Sequence, residues 1–349
     1  MKFNIHLSMD YNKKDYGGDR IYDDMVKQAV LADNLGYDAV SVTEHHLLNI
    51  GMQPAPLQAV VKIAERTKNV KILTAVVILP LHDMRSYAGE VIVTDIMANG
   101  RLILGVGRGA YAFEMERFGI AMDETRARFD ESLDVLQALL TQEEVSWDGD
   151  YYKFDALTVM PRPLKPEGPA LLMAVMNPKG IYHCTKRGFH ILTTPLAGNH
   201  QLLVDQVEAF TRARGEMGET GKDLTLTLSR TAFVVDNAAQ RQKRVDEAYD
   251  FFSRFDNVYT GPGIVDNGMV RSLPRKQTKE EMAESLLICG AQEMVDRLTV
   301  YSELGIDRVS LMVNVGAEHN EVMENIERIA KEVMPHFEAA PAQKTTAVA

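Results

Sequence analysis

Cysteine is almost missing from this 349-residue chain. Cys184 and Cys289 stand far apart without ligand-like spacing, which excludes a disulfide framework and offers no pattern for a zinc site. No run of about 18 apolar residues is present to span a bilayer. The amino terminus, MKFNIHLSMDYNKKD, turns polar too soon for a signal peptide, so a soluble protein in a reducing, cytoplasmic setting is expected. Positive charge is in deficit: 38 Lys and Arg stand against 49 Asp and Glu, for a net charge of −11. That balance argues against nucleic acid or an anionic membrane as the main partner. Two nucleotide signatures are also missing. The phosphate cradle G-x-x-x-x-G-K-[ST] is absent, and no predicted strand leads into G-x-G-x-x-G with an acidic residue about 20 positions on.

What the chain does have is length and apolar content, 46% hydrophobic, enough to bury a large α/β core. The segment Lys71–Tyr111 sets the pattern. Lys71–Leu79 is a nearly unbroken Val/Ile-rich run, as expected of a parallel strand buried on both faces. Arg85–Ala98 has amphipathic helical spacing and stops at Asn99-Gly100. Leu102–Val106 is the next strand, and Gly107-Arg108-Gly109 follows at its carboxyl end.

The same alternation runs through the chain. Further strands are predicted at Phe3–Ser8, Asp38–Val42, Leu171–Val175, Phe189–Thr194, Leu224–Val235 and Val309–Val313. Helices are predicted at Ile21–Asn34, Leu57–Lys68, from an Asp123 N-cap to Thr141, and at Pro178–Arg187, His200–Gly215, Ala238–Phe252, Ala291–Leu304 and Val322–Val333. Tyr111–Met122 reads as loop or broken helix, and Val145–Phe154 as a small hairpin. Eight strands alternating with helices, with no composition break, predict an α/β chain folded as a (β/α)8 TIM barrel with insertions, spanning 1–338 as one domain. A doubly wound sheet is the alternative. Asp256–Gln277 is too long for an ordinary turn and is either functional or disordered. The tail 339–349 is expected to be disordered.

Barrel enzymes carry their chemistry at the carboxyl ends of the strands. There the second strand offers Glu44, His45 and His46, the fourth Arg108, the fifth Asn177, the sixth Thr193 and Thr194, and the eighth Asn314. Consecutive histidines point in opposite directions, so at most one of the pair faces the mouth. A histidine there can act as base or hydrogen-bond donor near neutral pH. Arg108 and Arg126 can converge on one anion, although Arg126 can instead pair with Asp130 one turn along its helix. Asn177, Lys179 and Gly180 open a helix, whose free N–H groups favour phosphate.

These residues together resemble the bacterial-luciferase-like flavin-dependent monooxygenases over nearly the whole chain, from Phe3 to about Phe337. The resemblance rests on Thr43-Glu44-His45-His46, on Thr74-Ala75-Val76-Val77-Ile78-Leu79-Pro80, on Gly100-Arg101 through Gly109, and on Gly305-Ile306-Asp307. It implies a barrel that binds reduced FMN at its mouth, supplied by a separate NAD(P)H:flavin reductase. Oxygen then adds at flavin C4a, and the (hydro)peroxyflavin oxygenates a small organic substrate. The family's phosphate contacts map to Arg108, Arg126, Asn177 and Gly180, and its non-proline cis peptide against the flavin ring to Ala75-Val76. His45 matches the catalytic histidine. Gly107 stands where the luciferases carry a reactive cysteine, and Met176 where they carry a glutamate; both are departures, and the second weakens any claim to light emission. Asp256–Gln277 falls where the family carries a mobile lid, and a homodimer through the first half of the barrel is expected. No metal is implied. Two alternatives remain open: a deazaflavin-dependent oxidoreductase of the same fold, and a non-catalytic flavin-binding partner subunit.

Overall fold

The computed structural model describes residues 1–10, 14–196 and 200–337; the expected tail at 339–349 lies outside the described residues. Eight parallel strands close a barrel: β1 Lys2–His6, β2 Ala39–Val42, β3 Lys71–Thr74, β4 Leu102–Gly107, β5 Ala170–Ala174, β6 His190–Thr193, β7 Leu226–Val234 and β8 Arg308–Met312. β1 pairs with both β8 and β2, and the pairing of β6 with β7 completes the ring. The fold is the expected luciferase-like (β/α)8 TIM barrel. Its strands are apolar on both faces because side chains alternate between the barrel interior and the helical layer. Ile5, Val40, Ile72, Leu104, Ile191, Leu228 and Leu311, one from each of seven strands, are fully buried in one hydrophobic core.

The outer helices form where the spacing predicts them. Pro56–Arg66 starts on a proline, which needs no N–H partner in a first turn, and buries Leu57, Val60 and Ile63 against the sheet. Met84–Met97 is capped by the Asp83 side chain, which accepts from the Arg85 N–H at 3.0 Å.

Several boundaries differ from expectation. The helix predicted from an Asp123 cap begins at Thr125 after Glu124, with no side-chain cap. Tyr111–Met122 contains a short helix, Ala112–Arg117. Ala238–Tyr259 runs seven residues past Phe252, because Phe255 and Tyr259 continue one aromatic face. The long stretch after it folds into a hairpin, Val265–Asp266 with Met269–Val270. The buried Asn257 amide pins this hairpin: it donates to the carbonyls of Ile264 and Arg271 at 2.9 and 2.8 Å and accepts from the Ile264 N–H at 2.9 Å. Two elements had no predicted counterpart, the helix Lys279–Ser285 and the strand Leu287–Cys289.

That extra strand has a physical reason. β7 is nine residues long, and its pairing with β8 stops at Thr231. Beyond it, Leu287–Cys289 pairs with Ala232–Val234. The buried Asn325 side chain satisfies what the shorter β8 leaves open, accepting from the Val234 N–H and donating to the Ala232 carbonyl, both at 2.9 Å. Asn325→Ala is expected to lower stability by roughly 1–3 kcal/mol for each stranded backbone group, read as a shift in the urea midpoint with unchanged slope.

Candidate active site at the barrel mouth

The seam between β3 and β4 shapes the floor of the mouth. Ile72 and Leu73 pair with Leu102 and Ile103, but Val77 and Ile78 pair with Val106 and Gly107. One extra residue is therefore accommodated on the β3 side, as a bulge. The Ala75–Val76 peptide within it is cis. Thr74 bridges the gap: its hydroxyl donates to the Gly105 carbonyl and accepts from the Gly105 N–H, both at 2.9 Å. Residue 105 has to be glycine, since a Cβ there would lie 1.9 Å from the Thr74 carbonyl oxygen. At Gly107 a Cβ would lie 2.6 Å from Val76 Cγ2, so the room left by that glycine is filled by valine.

Two buried carboxylates organise the loop after β2. Glu44 accepts from the Ile78 N–H at 2.6 Å, from His46 Nε2 at 2.8 Å and from His82 Nε2 at 2.9 Å. Burial works to raise the Glu44 carboxyl, but the bonds from His46, His82 and Ile78 outweigh it and hold it below its ordinary value. The Glu44 bond in turn raises the His46 imidazole. Glu114, from the short helix, accepts from the His46 N–H at 2.5 Å and lies 3.2 Å from His45 Nδ1 through each of its oxygens. The His45 ring stacks on Tyr111 at 4.4 Å between centroids. A carboxylate accepts from the ring nitrogen beside it, so Glu114 favours the tautomer with its hydrogen on Nδ1. The two adjacent histidines thus diverge, His46 toward Glu44 and His45 toward the mouth.

Around this pair the mouth is enclosed and mixed in polarity. Burial, then the nearby His45, lowers the His6 imidazole to about 4. Burial raises the Asp10 carboxyl to about 6 against the pull of the Gly51 N–H, which it binds at 2.5 Å. Tyr111 is pushed well above its ordinary value by burial and the charge of Glu114, and stays neutral. Phe255 meets Tyr111 edge-on at 6.1 Å, which brings the helix after β7 over the site. Its hairpin is tied to the loop after β2, where the Val270 N–H donates to Asn49 Oδ1 at 2.8 Å.

The second half of the site lies beyond β4 and β5. Exposed Arg108 donates from Nη1 to the Thr125 hydroxyl at 3.0 Å. Arg126 is the next residue, exposed, with its Nε 3.2 Å from Asp130; it takes the helical ion pair, and no direct contact joins it to Arg108. Its charge reaches Cys184 on the helix Pro178–Lys186. Asn177 caps that helix, its side chain accepting from the Lys179 N–H at 2.9 Å and the Gly180 N–H at 3.4 Å. The asparagine carbonyl therefore already occupies two of the N–H groups expected to face phosphate. The Met176 carbonyl accepts from Gln206 Nε2 at 2.8 Å. Thr194 Oγ1 accepts from the Leu196 N–H at 3.1 Å, and Asn314 turns to the Gly316 N–H at 2.9 Å.

Ser8 Oγ just past β1, Thr193 Oγ1 at the end of β6 and Gln206 Oε1 on the helix His200–Met217 are buried without hydrogen-bond partners. Such groups need a polar ligand or water, and a flavin with its many carbonyl and N–H groups fits that demand. Among the described residues no group of three His, Cys, Asp or Glu side chains is placed to hold a metal ion, and no helix is long and apolar enough to cross a membrane. Glu114, Tyr111, Thr74, Asp10 and His6 were not marked as site residues by the sequence. The one available signal was Glu114 itself, a charge between Phe113 and Met115 in a segment otherwise read as loop.

Known proteins similar to this chain share its fold. The oxygenase component of the flavin-dependent trigonelline monooxygenase of Acinetobacter baylyi is 28% identical over 317 residues, 87% of each chain. Among solved structures, monooxygenase RslO1 from Streptomyces bottropensis superposes with a TM-score of 0.83 at 22% identity, covering 97% of this chain and 100% of that one. An F420-dependent secondary alcohol dehydrogenase shares the fold at a TM-score of 0.77 and 19% identity, covering 97% and 99%. The family model of the luciferase-like monooxygenases matches residues 1–308, and the chain belongs to that family.

Proposed function

We propose that this chain is the oxygenase of a two-component flavin-dependent monooxygenase, taking reduced FMN from a separate NAD(P)H:flavin reductase and using O2 to oxygenate a small organic substrate. The observation that carries this reading is the oriented His45: its Nδ1 is held by buried Glu114 and its ring by Tyr111, which leaves Nε2 as a base at the barrel mouth. The trigonelline relative, an oxygenase component by name, supports the same class of chemistry.

Arg108, braced by Thr125, supplies the positive charge for the FMN phosphate, with Arg126, Lys179 and the Gly180 end of the Asn177-capped helix as the surrounding field. Ala75, Val76 and Gly107 form the surface against which the ring system rests, and Met176 borders the phosphate side. Reduced flavin, when bound, supplies the electrons that activate dioxygen for transfer of one oxygen atom to an organic molecule. His45 holds or moves a proton at Nε2, and Glu114 keeps the imidazole in the tautomer that makes this possible. The Asp256–Gln277 stretch acts as a cover that excludes water, linked to the loop after β2 through the Val270–Asn49 bond.

Anaerobic titration with reduced FMN tests the cofactor, and a deazaflavin run beside it tests the alternative. Arg108→Ala is expected to weaken reduced-FMN binding by roughly 1.5–3 kcal/mol, the worth of a hydrogen bond to a charged group; equal affinity removes the phosphate assignment. Binding of the deazaflavin but not FMN moves the protein to the dehydrogenases of the same fold. His45→Ala should keep the reduced-FMN affinity and lose roughly 10²–10⁴-fold in oxygen-dependent product formation with a reductase present. Glu114→Gln should show a smaller loss of the same kind, because its amide can donate and so permits the other tautomer. Normal turnover by the His45 variant overturns its role.

A further inference from the structure

We propose that Arg254 anchors a carboxylate of the organic substrate, so that the chain acts on small organic acids. The proposal deepens the oxygenase assignment and rests on the mouth being its substrate site. Arg254 lies on Ala238–Tyr259, the helix that covers the mouth, and is only 4% exposed. Its Nε is 3.1 Å from Asp250 Oδ2, one turn back. Nη1 and Nη2, the two ends of the guanidinium fork, are buried with no hydrogen-bond partner.

A guanidinium does not shed its proton, so burial cannot neutralise it. Leaving two of its donor nitrogens unmatched in a dry interior is costly unless water or a bound acceptor completes them. The protein's own carboxylates do not. Asp250 is engaged at Nε, and Asp10, close enough to feel the Arg254 charge, gives its Oδ1 to the Gly51 N–H. A planar carboxylate matches the two free Nη positions through parallel bonds. The surroundings suit the rest of such a molecule. The guanidinium carbon lies 6.0 Å from the Phe251 ring, Phe255 follows on the same helix, and Phe255 leads through Tyr111 to the His45 imidazole. Asp10 senses the charge of both Arg254 and His45. One end of the mouth thus fixes an anion, and the other carries the proton-handling group.

The test is isothermal titration of the full chain with benzoate, phenylacetate and hexanoate, each beside its primary amide. At least one acid is expected to bind roughly ten-fold or more tightly than its amide and to raise the thermal midpoint, since a buried donor set penalises a ligand that cannot complete it. Arg254→Gln should erase the preference, and Arg254→Lys, which keeps charge but not the fork, should retain part of it. No acid preference in any pair, total lack of acid binding, or a preference that survives in Arg254→Gln overturns the proposal. Inorganic phosphate binding more tightly than every acid overturns it as well. If Arg254→Gln fails to fold, the wild-type comparison and the lysine variant decide. Reduced FMN titrated into the same samples separates the two claims: acid preference without flavin binding removes the oxygenase reading and leaves the carboxylate anchor standing.

Discussion

One buried carboxylate, Glu44, sets the geometry on which the mouth depends. It reaches three separate pieces of chain: the resumption of β3 at Ile78, the His46 ring of its own loop, and His82 beyond the bulge. His46 and His82 lie outside the strand ladder, and Ile78 rejoins it one residue out of step with Leu73. Because the side chain is fully enclosed, the donors have no water to compete with, and the three bonds hold the carboxylate charged against the burial that opposes it. His45 inherits its backbone position from this arrangement and its ring orientation from the second carboxylate, Glu114. The imidazole is therefore placed by two carboxylates that are themselves buried.

The barrel was readable because its signal is repeated eight times. Apolar runs such as Leu102–Val106 have few other ways to be satisfied, and the intervening helices announce themselves through period and caps. That His45 and Arg108 follow strand ends was readable for a related reason, since those ends are fixed points in this architecture. What escaped is what depends on contact between distant segments. Glu114 is 69 residues from His45, and its apolar neighbours Phe113 and Met115 hint at burial without naming its partner. The strand Leu287–Cys289 exists because β7 outruns β8, a length mismatch visible only once both are paired. The Asn177 helix shows the same limit from the other side. Its position followed from the sequence, but the competition of its side chain for the Lys179 and Gly180 N–H groups did not.

The stretch after Tyr259 shows how a polar residue can replace a core. A surface excursion of this length has little apolar area to bury, yet the buried Asn257 amide supplies three bonds to its backbone and Asn49 a fourth. Order here is held by hydrogen bonds, which exchange with water more readily than packed side chains do.

The contact between Gly107 and Val76 carries a consequence for how this protein can diverge. A side chain at 107 needs the volume that the valine branch now holds, and the valine needs the bare backbone of 107. The order of change is therefore constrained: a first substitution at 107 meets a filled space, whereas a smaller side chain at the partly buried position 76 clears it. A lineage moving from glycine to a reactive side chain at this point has to trim or shift residue 76 first, so the path between the two chemistries runs through the neighbour.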